Sequence, residues 1–237
     1  MTPRKWALVL IGIFIAGIVA IIAGYRPIAA AVCPTCYGLS PAGLNVFIEK
    51  AGDPAGTDIA LAIITGARAR VRNFYGSLKG NPRILVCQTE TCYQRIGGGG
   101  STGMALLNFA LLLSPRGDRI VIASHEISHI ELHARLGLAG TLRRKVPQWF
   151  DEGLAAVISD DPRYLAPEGA PNRCIVQSGE DLPTARSAWV VEARDRQLYA
   201  KAACRVVRWM TAHGGPAAVS AMIERISDGE KFSNIVR

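Results

Sequence analysis

From Arg119 to Leu136 the chain runs without glycine or proline, and Ile122, His125, His129, Leu132 and Leu136 recur on one stripe at helical spacing. A helix is predicted here, stopped by Gly137, because glycine readily takes the left-handed turn that ends helices. Residues four apart lie about 6 Å apart along the axis on one face, so the imidazoles of His125 and His129 can reach one point while Glu126 stands beside them. Two such imidazoles make half of a tetrahedral metal site of the kind zinc occupies. Glu126 need not bind the metal. A carboxylate at that position can take a proton from a metal-activated water, whose pKa falls to about 7, and return it to a leaving group.

A third protein donor is required. His133 lies eight residues after His125, about 12 Å further along a continuous helix, too far to share a tetrahedral ion with both earlier histidines. It is predicted to tune the surface or the surroundings of the site. A second helix is expected from Gln148 to about Ile158, started by Pro147 and carrying Phe150, Leu154 and Val157 on one face. Asp151, Glu152 and Gly153 stand near its start.

Here the sequence resembles the gluzincins, the thermolysin-like and aminopeptidase-like zinc peptidases, in which a glutamate on a later helix, often followed by glycine, completes the site. Trp149 to Ala155 carries the likeness to that second motif, and Glu152 follows His129 by 23 positions. The resemblance is borne by residues 105 to 157. It implies one zinc ion on His125, His129 and Glu152, with Glu126 as general base and a peptide or protein as substrate. It also implies a cleft bordered by the strand before the metal helix, read as Ala105 to Leu113, and a downstream tyrosine or histidine that stabilises the oxyanion. Tyr199 and His213 are the candidates. One departure stands out: where some gluzincins place an acidic residue one turn after the ligand glutamate, this chain has Ala156, so Asp151 or a backbone carbonyl would have to orient a histidine instead.

With 237 residues, 49% of them hydrophobic, the chain can bury one substantial core. The fold expected is α+β: an N-terminal transmembrane helix, then a zincin-like catalytic domain with a small sheet, the histidine helix and the glutamate helix. A short strand near Leu44 to Ile48, a helix from Thr57 to Leu78, a strand from Arg83 to Val86, a glycine loop from Gly97 to Ser101 and helices over Val191 to Ala212 and Pro216 to Ile226 complete the expectation. Residues 160 to 187 are predicted to be irregular.

The uncharged run from Trp6 to Gly24 has the length of a membrane span. It is read as an anchor, dividing the chain into a segment 1–32 and a catalytic domain 33–237. Arg4 and Lys5 before the run outnumber Arg26 after it, which points the domain to the extracytoplasmic side, periplasmic or extracellular. Ala29 to Ala31 would suit a signal peptidase, in which case the protein would be secreted. The six cysteines fit an oxidising compartment and are paired here by proximity, Cys33 with Cys36, Cys87 with Cys92 and Cys174 with Cys204. Cys33 and Cys36 form a spacing used by thiol oxidoreductases, but no strand precedes them to make the required βαβ setting. The net charge of +8 is scattered and accompanied by no nucleic-acid motif, so no nucleic-acid partner is expected. Two rivals remain at this stage, a catalytically silent binding protein on a peptidase scaffold and a thiol-redox protein.

Overall fold

The computed structural model describes residues 24–50, 54–117, 119–177, 181–193 and 197–236, together with 5, 6, 10–12 and 17. The expected transmembrane helix is corrected. Among the described residues no helix is long and apolar enough to cross a membrane, and most of the run from Trp6 to Gly24 lies outside them. The membrane tether and the extracytoplasmic placement that depends on it fall with that helix. After that run comes a seven-residue helix, α1 (Arg26–Val32), entered from an extended Tyr25 with Pro27 in its first turn, where a missing N–H costs nothing. Its Ala30 and Ala31 are fully buried, and the Arg83 guanidinium donates to the carbonyls of Ala31 and Val32 at 2.7 and 2.8 Å. The folded unit therefore begins ahead of Cys33.

The rest is α+β. Five strands, β1 (Leu39–Gly43), β2 (Val46–Glu49), β3 (Arg83–Val86), β4 (Gly103–Leu106) and β5 (Ala110–Leu113), form one mixed sheet in the order β1-β2-β3-β5-β4. The central β3 pairs in parallel with β2 and β5, while β1 and β4 close the edges antiparallel. Both faces of the middle are covered, so β3 and β5 read as unbroken apolar runs rather than alternating ones. Ile84, Val86, Leu111 and Leu113 face the main core. Leu85 and Leu112 face a smaller one built with α1 and α3 (Glu90–Arg95).

The main core is filled by α2 (Pro54–Tyr75), α4 (Ile120–Leu142), α5 (Gln148–Ser159), α6 (Arg186–Glu192), α7 (Gln197–His213) and α8 (Pro216–Ser227), with the short α9 (Phe232–Ile235) beside them. Within α4, Gly137 has φ 70° and ψ 167°, so the histidine-bearing helix ends where glycine was expected to end it and a short second piece follows. α2 stops three residues earlier than its apolar pattern suggests, because Gly76 turns left-handed.

Two expectations about regular structure need correction. Ala105 to Leu113 is a hairpin and not one strand: Leu107 adopts φ 51°, and the Phe109 N–H donates to the Leu106 carbonyl at 3.0 Å. Asn108 is the turn residue that interrupts the apolar run. The helix expected over Val191 to Ala212 is divided between α6 and α7, with residues 194–196 outside the described set. The cysteines pair as proximity suggested, Cys33–Cys36, Cys87–Cys92 and Cys174–Cys204, the last joining the irregular stretch to α7.

Candidate metal centre

α4 and α5 pack against one another, and α5 is pressed in turn onto α7 at Gly153. A Cβ built on Gly153 would stand 2.6 Å from the Ala202 carbonyl oxygen, so only glycine allows the approach. That contact sets the depth of α5 and hence of Glu152, its immediate neighbour. His125 and His129 are buried, with 9% and 8% of their surface exposed. Their Nε2 atoms are 3.1 Å apart, and Glu152 Oε2 lies 3.3 Å from the first and 3.6 Å from the second. Donors held about 2.0–2.1 Å from a tetrahedral zinc are separated by about 3.3–3.4 Å. The three observed spacings bracket that value, so the residues fit the ion that the sequence reading requires.

Neighbouring side chains aim these donors. His129 Nδ1 donates to Asp151 Oδ1 at 2.6 Å, which leaves the Nε2 lone pair directed at the cluster. Asp151 Oδ2 is engaged by His133 Nε2 at 3.1 Å, and His133 Nδ1 reaches the Leu107 carbonyl at 3.2 Å. His133 is thus a brace between Asp151 and the turn of the β4–β5 hairpin. Asp151 performs the orienting task for which Ala156 is unsuited. Glu152 is aligned from within its own helix, the Gln148 side-chain amide donating to Oε1 at 2.9 Å and leaving Oε2 for the histidines.

The charges of the site are coupled to one another. Burial alone would lower the His129 pKa, but the carboxylates of Asp151 and Glu152 hold it well above the ordinary histidine value. Burial alone would raise the Glu152 pKa, yet the His129 charge and hydrogen bonds from both histidines bring it down to about 2. The bare cluster therefore retains a proton among its donors, and a divalent ion binding there has to displace it.

Glu126 is half-buried at the cleft wall and outside the donor triangle. Burial pushes its pKa above the usual glutamate value, a shift that His125 and His129 oppose and Glu152 reinforces. The backbone N–H of Ala105 supplies a hydrogen bond to it. β4 can lie this close because of Gly103, where a Cβ would sit 2.8 Å from Glu126 Cγ. A carboxylate with a raised pKa beside a metal site is suited to accepting a proton near neutrality.

These groups line an open cleft of about 710 Å³, whose walls include β4, Tyr164, Trp189 and Tyr199. Tyr199 stacks on Tyr164 with ring centroids 5.1 Å apart. Burial, reinforced by the Glu152 charge, raises its hydroxyl pKa to about 12, so it stays protonated and able to donate. His213, the other oxyanion candidate, is absent from the cleft lining: it stacks on Trp209 and its Nδ1 donates to the Trp209 carbonyl at 2.8 Å.

The structure thus brings together all four residues named for the chemistry and separates His213 from them. Sequence reasoning did not anticipate Gln148 or Gly103. The signal for Gln148 was available, since it precedes Glu152 by four positions on a helix. No family model matches this chain, and neither a curated protein nor a solved structure matches it.

Proposed function

We propose that this protein is a zinc-dependent peptidase that hydrolyses peptide bonds with Glu126 as general base and one zinc ion on His125, His129 and Glu152. The observation that supports it best is the triangle of 3.1, 3.3 and 3.6 Å formed by two imidazole nitrogens and a carboxylate oxygen. Its three donors match the residues expected from a resemblance to the gluzincins. When bound, zinc supplies a Lewis acid that lowers the pKa of a water to about 7 and polarises a carbonyl.

The chain's own residues do the rest. Glu126 receives the proton of the attacking water and delivers it to the departing nitrogen. Tyr199, protonated and facing the cleft, donates a hydrogen bond to the oxygen on which negative charge develops. β4 is an edge strand along the same cleft, so its unpaired backbone groups can hold an extended peptide as an added strand. Asp151, His133 and Gln148 keep the donors aligned through the cycle.

Peptide hydrolysis by the full chain supplied with one equivalent of zinc tests the proposal. An unstructured peptide mixture should be cleaved, and a chelator should reduce the rate on the order of a hundredfold or more, with recovery when zinc is returned. Hydrolysis indifferent to chelation would contradict it.

A further inference from the structure

The cleft that holds the metal cluster also has a charged rim, and its free charge is all of one sign. Three carboxylates line the cleft, and each is engaged: Asp151 by His129 and His133, Glu152 by Gln148 and the histidine pair, and Glu126 by the Ala105 N–H. Four cations line it as well. Lys145 Nζ donates to the Ile226 carbonyl at 2.9 Å, and Arg163 is bound to the buried Asp161. Arg144 and Arg186 are exposed, and their guanidinium groups hold no hydrogen bond or ion pair among the described residues.

Arg144 also sits where its residue type is unexpected. The second piece of α4 ends with the Lys145 N–H donating to the Gly140 carbonyl at 3.1 Å and the Arg144 N–H donating to the Thr141 carbonyl at 3.0 Å. That is the hydrogen-bond pattern of a helix end whose left-handed residue is usually glycine. Here the residue is Arg144, with φ 49°, and a side chain in that conformation costs about 1–2 kcal/mol relative to glycine. The backbone has no use for an arginine there, whereas Arg144 in that place lines the cleft.

We propose that Arg144 and Arg186 recognise a carboxylate of the substrate, so that the site selects peptides bearing an acidic side chain or a free carboxyl terminus within reach of the rim. This rests on the peptidase reading for the identity of the substrate as a peptide. Guanidinium groups suit the task because their planar donors match a carboxylate in two-point geometry.

The test measures binding apart from turnover. Fluorescein-labelled hexapeptides carrying glutamate or glutamine, each with a free or an amidated carboxyl terminus, are titrated by anisotropy into zinc-loaded Glu126→Gln protein. Arg144→Gly and Arg186→Gln are introduced singly into it. Carboxylate peptides should bind on the order of tenfold tighter than neutral ones, with each substitution removing about threefold, as for partly exposed ion pairs. The gap should shrink as salt is added. A preference that follows the glutamate assigns the rim to acidic side chains, and one that follows the terminal carboxylate assigns it to chain ends. Because glycine is the easier residue at position 144, Arg144→Gly should fold at least as stably as the parent, so loss of preference there is not loss of structure.

Equal affinity for charged and neutral peptides, or a gap that neither substitution reduces, overturns the inference. Hydrolysis of neutral peptides by the unsubstituted protein without any binding preference overturns it while leaving the peptidase reading intact. Preference without hydrolysis does the reverse, and failure to bind any peptide overturns both.

Discussion

Glu126→Gln is expected to lower kcat for peptide hydrolysis by about two to four orders of magnitude, the usual contribution of a positioned general base, while zinc stays bound. Glutamine has the same shape, so it keeps the contact over Gly103, and its amide oxygen can still accept the hydrogen bond from the Ala105 N–H. The donor triangle does not include Glu126, so metal content should be unchanged. What glutamine cannot do is take a proton from water. Turnover and zinc content measured on the same preparations decide the matter. Equal turnover in the two proteins would remove Glu126 from the chemistry, and absence of turnover in both would favour a binding protein that retains the scaffold alone.

Glu152→Ala is expected to have the largest effect on metal affinity. It deletes one of three donors and leaves the Gln148 amide without its acceptor, in a pocket where the two histidines are already buried. Loss of an outer partner such as Asp151 typically weakens a metal site by about 10–100-fold, and loss of a direct donor should exceed that range. Competition against a chromogenic chelator gives both values. If Glu152→Ala binds zinc as tightly as the parent, or more tightly than Asp151→Ala, the third donor is some other group.

The part of the site that could be read from residues alone is the part governed by local periodicity. His125 and His129 are placed by one turn of helix, Gly137 ends that helix where it was expected to, and Asp151 lies in the opening turn of the next with Glu152 directly after it. The meeting of Glu152 with the histidines is a tertiary event. It depends on Gly153 admitting the Ala202 carbonyl, which no local pattern encodes, and it was reached through the likeness to gluzincins. The same limit explains His133. Spacing excluded it as a donor, but only packing could show that it bridges Asp151 to the Leu107 carbonyl.

The misreadings of fold have physical causes of their own. Ala105 to Leu113 reads as one buried strand because Asn108 is a single polar residue between apolar runs, and a hairpin turn needs little more. In the amino-terminal region, run length and apolar character suggested a span over Trp6 to Gly24; most of that run lies outside the described residues, and the helix that follows it, α1, packs its small alanines against β3 and β5.

The proposed chemistry requires two imidazole nitrogens and one carboxylate oxygen to close around a single ion. Zinc X-ray absorption on the full chain, after removal of excess metal and with stoichiometry taken from native mass spectrometry, tests this directly. The prediction is one zinc per chain in a shell of nitrogen and oxygen that includes two imidazoles, with no sulfur neighbour, since the six cysteines are closed in disulfides. A sulfur-containing shell, or no zinc retained by the folded protein, would contradict it.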